Sequence, residues 1–286
     1  MQLLRTLVVG ILLLLLPLPV LAYDVLVLQS LRERSYDEAL RGVRRECAAS
    51  MRTVVMSDYA EIDLTRLMRE EHPRLIIAVG DRALEVAERQ RNVPVLYMMA
   101  LHAKVRPGAP VTGVWMMLDP QRYLSVFDSL GTRRVGVLYD PQRTGGYLKR
   151  AQVSARRSGI DLLAREVRSP KETVAVLESL RGKVDALWML PDLTAVSTET
   201  TEAYFLFSQG ERIPVVSFAD AYLAMGGAVA LSFDRYDIGR QLGGMAQSVL
   251  DGTAVEELPT QYPRRVLMKV NDGVLRRFKL AVPGGS

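Results

Sequence analysis

Four aspartates in the second half of this chain, Asp140, Asp192, Asp220 and Asp234, each follow a short apolar run that reads as a strand. A single such aspartate is ordinary, because Asp caps helices and fills turns. Several around one crevice can hold a cationic amine, with Asp234 the first candidate for that role and Asp220 the second. The first half offers Ser30 after Val25 to Leu28, and Gly80-Asp81-Arg82 after Leu75 to Val79. Ser30 reads equally as a donor to a solute carboxylate and as a cap for the helix that follows. Asp81 reads as a helix cap before it reads as a ligand-facing charge. Arg82 reads as solvent-facing before it reads as a two-pronged partner for an anion. Thr194, two residues beyond Asp192, adds a hydroxyl. Tyr139, Trp188, Phe218 and Phe233 offer an apolar wall, although Trp188 lies inside a strand and reads as core.

Catalysis has less support. His72 precedes Pro73 in a turn, His102 sits in a polar loop, and neither has a second histidine at metal-ligand spacing. Neither a GxSxG elbow nor a GxGxxG turn occurs. No cofactor and no metal are expected, and the chain is not read as an enzyme. Cys47 is the only cysteine, which excludes an internal disulfide; in a helical pattern it reads as a partly buried apolar filler. The formal charge of +5 is spread along helices that also carry glutamates. Nucleic-acid binding calls for a basic stripe or a stacking surface, and none is evident.

The elements that must position these residues form a strand-helix pattern that plays twice. Val25-Leu26-Val27-Leu28 is matched by Val135-Gly136-Val137-Leu138. The segment from Ile76-Ile77-Ala78-Val79 to Val93-Pro94-Val95-Leu96 is matched by that from Asp185-Ala186-Leu187-Trp188 to Ile213-Pro214-Val215-Val216. The alternation predicts an α/β fold of two Rossmann-like lobes, with parallel sheets and helices on both faces. Expected strands include Val111 to Met117, Val184 to Leu190, Ile213 to Phe218 and a short C-terminal strand Arg265 to Val270. Asp119-Pro120 marks a helix start. Ile238, Leu242, Met245 and Val249 form a stripe at helical spacing that packs on a sheet.

Hinges are placed near Leu118, Asp234 and Gln261, so residues 23–118 with 235–261 make one lobe and 119–234 with 262–286 the other. In open α/β sheets ligands collect at the carboxyl ends of strands, which is where the candidate residues fall.

Residues 1–22 have the form of a secretory signal: Arg5, an apolar stretch from Leu7 to Leu16, and the small-residue site Val20-Leu21-Ala22. Its removal lowers the formal charge to +4, since Arg5 leaves with it. Tyr23 follows the cleavage site where a lipid-modified protein needs cysteine. A periplasmic protein with a cleaved leader, not a lipoprotein, is expected.

Val135-Gly136-Val137-Leu138-Tyr139-Asp140-Pro141, Gly182-Lys183-Val184-Asp185-Ala186-Leu187-Trp188, Leu190-Pro191-Asp192, Ile213-Pro214-Val215 and Phe233-Asp234-Arg235-Tyr236-Asp237-Ile238-Gly239-Arg240-Gln241 together resemble one family. It is the substrate-binding proteins of ABC transporters, in the branch that includes tryptophan- and tyrosine-binding members. The resemblance covers nearly all of the exported chain and is strongest from Arg134 to Leu250. It implies a type I periplasmic-binding-protein fold, a small-molecule solute, an ABC permease in the inner membrane as partner, and a monomer. It places ligand contacts on Ser30, the residue after Gly80, Asp192, Thr194, Asp220 and Asp234. The first lobe departs from the family pattern at Asp81-Arg82 and at Met98-Met99-Ala100-Leu101-His102-Ala103. The solute is therefore expected to bear an amine or a carboxylate, without a commitment to an aromatic amino acid. A module that signals to a membrane receptor or export assembly would use the same cleft.

Overall fold

The computed structural model describes residues 23–283 other than His102, Lys104 and Pro107. The leader proposed at Met1 to Ala22 lies outside the described residues, as does the polar-loop reading of His102.

The chain folds into two α/β lobes. The first sheet contains β1 (Val25–Gln29), β2 (Met51–Val55), β3 (Leu75–Val79), β4 (Val95–Met98) and β5 (Val111–Gly113). Their order is β2-β1-β3-β4-β5 and every pair is parallel. The strands β1, β3 and β4 are buried along their whole length, as continuous apolar runs must be when helices cover both faces. The second sheet contains β6 (Arg134–Tyr139), β7 (Asp161–Glu166), β8 (Ala186–Trp188), β9 (Val215–Ser217), β10 (Val229–Phe233) and β11 (Val266–Val270), in the order β11-β10-β9-β8-β6-β7.

Four features differ from the sequence expectation. The C-terminal strand β11 is antiparallel to β10, with Phe233 opposite Val266. The chain re-enters this lobe beside the end of β10, so it can only run back along it. The run Val111 to Met117 leaves the sheet at Gly113, because its neighbour β4 ends one residue beyond the pairing partner Tyr97 and turns at Met99 with φ of 58°. The expected strands Val184 to Leu190 and Ile213 to Phe218 likewise contract to β8 and β9. Cys47 is wholly rather than partly buried, at 2% exposure, and burial pushes its thiol pKa up.

The chain passes between the sheets three times. The first passage runs from Val114 to the Pro120–Ser129 helix. That helix is capped by Asp119, which accepts from the Gln121 N–H at 2.9 Å, with Pro120 in its first turn. The second follows β10 into the Arg235–Leu250 helix, whose Ile238, Leu242, Met245 and Val249 pack on the core of the first sheet. The third returns through Gln261 to Arg265.

These passages are tied to one another. Trp115 N–H donates to Gln261 O at 2.9 Å, and Gln261 N–H donates to Gly113 O at 2.9 Å. Arg264 forks onto Asp237 with two contacts of 3.0 Å, Arg265 pairs with Asp234 at 3.1 Å, and Gln241 donates to Gln261 Oε1 at 2.6 Å. The result is a single strap in which the three passages are joined side by side.

The Arg235–Leu250 helix is held on the first lobe by backbone contact with the Arg34–Glu46 helix. A Cβ added at Gly239 would stand 1.8 Å from the Ala39 carbonyl oxygen, and one at Gly42 would stand 2.1 Å from that of Tyr236. Among the described residues, no helix is long and apolar enough to cross a membrane.

Candidate functional site

Between the lobes, beside the first passage, lie two adjoining cavities of about 270 Å³ and 220 Å³. They share Leu101, Met116, Met117 and Tyr147, so they are two ends of one cleft. The deeper, more apolar end adds Tyr123, Phe218, Leu231 and Phe233. The other end adds Trp115, Pro141, Gln142, Arg143 and Arg150. An apolar chamber with a few convergent polar groups is the usual form of a small-molecule site. Among the described residues, the lining contains the arginines Arg143, Arg150 and Arg235 and no carboxylate.

Its phenols carry no charge either. Burial pushes the Tyr123 and Tyr147 hydroxyls well above the ordinary tyrosine range, and Tyr147 donates to Leu118 O at 2.9 Å. Beneath Tyr123, Trp188 is fully buried in a ring cluster with Phe127 and Tyr147, which is its core role.

Arg150 stands at the hinge end of the cleft. Its guanidinium carbon lies 4.1 Å from the centre of the Trp115 ring, and its Nε donates to Tyr262 Oη at 3.1 Å. Trp115 and Tyr262 meet edge-on, with centroids 5.3 Å apart. Two of the three passages therefore hold this one side chain, through a cation–π contact and a hydrogen bond. Among the described residues, no carboxylate pairs with it.

Of the residues singled out in the sequence, Phe218 and Phe233 line this cleft, whereas Ser30, Asp81, Arg82, Tyr139, Asp192, Thr194, Asp220 and Asp234 are not part of its lining. Ser30 is buried, and its Oγ accepts from Ala83 N–H at 2.9 Å, so it caps the Asp81–Ala87 helix. Gly80, at φ of 92°, lets that cap close: a Cβ there would stand 2.6 Å from Ser30 Oγ and 2.5 Å from Tyr36 Oη. Asp81 and Arg82 are exposed in the first turn of the same helix. Tyr139 donates to Glu166 Oε1 at 3.2 Å.

Asp192 is fully buried and completely filled. Its Oδ2 accepts from Asp140 N–H at 2.8 Å and from Thr144 Oγ1 at 2.5 Å. Its Oδ1 accepts from Thr194 N–H at 3.0 Å and from Ala195 N–H at 3.1 Å. Thr194 in turn donates to Asp140 Oδ2 at 2.8 Å and accepts from Arg143 Nε at 3.1 Å. Asp220 pairs with Lys269 at 2.5 Å. Asp234 caps the Arg235–Leu250 helix through Asp237 N–H at 3.1 Å while pairing with Arg265.

Sequence reasoning passed over Arg150, Tyr147, Trp115, Met116 and Met117. One signal was present: the Gly145–Arg157 helix, which follows the first strand of the second lobe, contains Lys149, Arg150, Arg156 and Arg157 and no acidic residue. Among the described residues, no three His, Cys, Asp or Glu side chains come together to hold a metal.

Comparison with known proteins agrees with this architecture. A family model described as ABC transporter substrate binding protein matches residues 53–284. A tyrosine-binding protein of Clostridioides difficile strain R20291 is 20% identical over 179 residues. That match covers 61% of this chain and 51% of the other, so the chain spans about half the length of that relative. The ligand-free, open structure of a substrate-binding protein with adhesive properties from Clostridium difficile superposes with a TM-score of 0.68 at 16% identity, covering 92% of this chain and 96% of that one. An ABC domain in complex with L-Trp from Streptococcus pneumonia superposes with a TM-score of 0.61 at 19% identity, covering 91% and 95%. At these identities the two structures share the fold.

Proposed function

The chain belongs to the ABC transporter substrate-binding protein family, and from that premise we propose that it captures a small organic solute in the cleft between its lobes and delivers it to an ABC permease. The observation that carries this reading is the cleft itself: an apolar and aromatic chamber walled by both lobes beside three tied passages. A solute seated there touches both lobes. It favours closure to the extent that it binds the closed form more tightly than the open one. The work is capture and release, with no bond made or broken. The protein acts in the periplasm as a monomer after loss of its leader, with no nucleic-acid partner.

Native mass spectrometry after gentle purification identifies a retained solute, and X-ray scattering with and without it reports closure. A confirmed ligand that leaves the scattering profile unchanged removes the closing step from this reading. Filling the cleft by Met117→Trp abolishes capture; full affinity in that variant places the solute elsewhere.

In this reading Asp220 and Asp234 hold the fold, because Lys269 and Arg265 already engage them. Asp220→Ala and Asp234→Ala each change solute affinity by less than about threefold. Loss of the Asp234 cap costs roughly 0.5–2 kcal/mol of stability. Calorimetric titration beside denaturant unfolding separates the two effects.

A further inference from the structure

The lining contains arginine and apolar groups but, among the described residues, no acidic side chain. A zwitterionic or cationic solute needs a carboxylate or a set of carbonyls for its ammonium group. The acidic residues that flank the cleft are occupied by donors of the protein itself: Asp192 by two N–H groups of its own loop, Asp140 N–H and Thr144, Asp220 by Lys269, and Asp234 by Arg265 and a helix N–H. Arg150 has the opposite character. Its Nε is committed to Tyr262 and its face to Trp115, while its terminal nitrogens have no protein partner among the described residues. A guanidinium fixed in this way presents two N–H groups in the plane that a carboxylate matches. Tyr147, one turn before Arg150 on the same helix, lines both cavities, so the charged end and the apolar end adjoin.

Resting on the reading that the cleft is the solute site, we infer that Arg150 is a specificity-determining residue, and that the solute is an apolar or aromatic monocarboxylate without an amino group. Its carboxylate lies on the end of the Arg150 guanidinium. Its body lies toward Met117, Tyr147, Phe218 and Phe233. Because Trp115 and Tyr262 belong to two of the passages, neutralising Arg150 also acts on the strap that bends. The Trp115 indole beneath the guanidinium makes intrinsic fluorescence a direct reporter of that event.

The test titrates the full exported chain with phenylacetate and 4-hydroxybenzoate as carboxylates, L-phenylalanine as zwitterion and phenethylamine as cation. At least one carboxylate binds, and more than about tenfold tighter than L-phenylalanine, whereas phenethylamine does not bind. Arg150→Gln weakens the carboxylate about 30-fold or more, Arg150→Lys recovers part of that loss, and both variants keep the parent circular dichroism spectrum. Three outcomes overturn the proposal: L-phenylalanine binding as tightly as either carboxylate, Arg150→Gln retaining full affinity, or no binding by either carboxylate at about 1 mM. The Met117→Trp variant keeps this separate from the broader reading. If another solute is captured and Met117→Trp blocks it, the cleft assignment holds and only the carboxylate class fails.

Discussion

Replacing Asp192 with alanine lowers the melting temperature by about 6–12 °C, even though this residue stands at the rim where a ligand contact was expected. The carboxylate is fully buried and receives four hydrogen bonds, from Asp140 N–H, Thr144 Oγ1, Thr194 N–H and Ala195 N–H. Alanine leaves those donors buried without an acceptor. Each unsatisfied buried donor costs about 1–3 kcal/mol, and partial relaxation or a trapped water recovers some of it. A net loss on the order of 3 kcal/mol follows, which in a protein of this size moves the midpoint by the stated amount. Asp192→Asn keeps one acceptor oxygen and turns an amide toward two donors, so its loss is intermediate. Differential scanning calorimetry measures both variants. A ligand contact makes a different forecast: unchanged stability of the free protein and lost affinity. Asp192→Ala that melts with the parent protein would show that the loop does not depend on this carboxylate.

Gly239→Val prevents the first lobe from forming its native packing. Even a single Cβ at this position would stand 1.8 Å from the Ala39 carbonyl oxygen, where no atom fits, and the obstacle is backbone rather than a side chain that can swing aside. The two helices must separate, and with them the contacts of Ile238, Leu242 and Met245 with the first sheet are loosened. Overpacking of this kind costs about 1–3 kcal/mol for one added methylene and more for a branched side chain against a main chain. Gly239→Ala unfolds at clearly lower denaturant, and Gly239→Val fails to accumulate as soluble folded protein. Gly244 is the control. It lies on the same helix with nothing within 4 Å of an added Cβ. Gly244→Ala is therefore neutral or stabilising by up to about 1 kcal/mol, through helix propensity alone. Equal denaturation midpoints for Gly239→Ala and Gly244→Ala would overturn the close-approach argument.

The fold was readable because its signals are local. Continuous apolar runs such as Leu75–Val79 announce strands covered on both sides, and Asp119-Pro120 and His72-Pro73 punctuate helices at a start and a stop. The repeated strand-helix order implies parallel pairing. Only β11 escaped this logic, since its direction depends on where a distant passage re-enters the lobe.

The chemistry of the cleft was less readable. Position after a strand singled out Asp192, Asp220 and Asp234. It could not say whether each side chain meets a solute or a protein donor, because Asp140 N–H and Thr144 for Asp192, Lys269 for Asp220 and Arg265 for Asp234 lie 31 to 52 residues away in the chain. Arg150 is the converse case. In sequence it is one basic residue among several on an exposed helix. Its standing comes from Trp115 and Tyr262, 35 and 112 residues distant, which contact it at the mouth of an apolar chamber.

By itself the sequence determined two α/β lobes, a strand-end crevice and the family. Each of these follows from periodicity, turn chemistry and short motifs written within a few neighbouring residues. Tertiary structure alone decided which charges are used up inside the protein and which are left to meet a solute. Pairing is a matter of a few ångströms in space, and those distances exist only after segments far apart in the chain have been packed together.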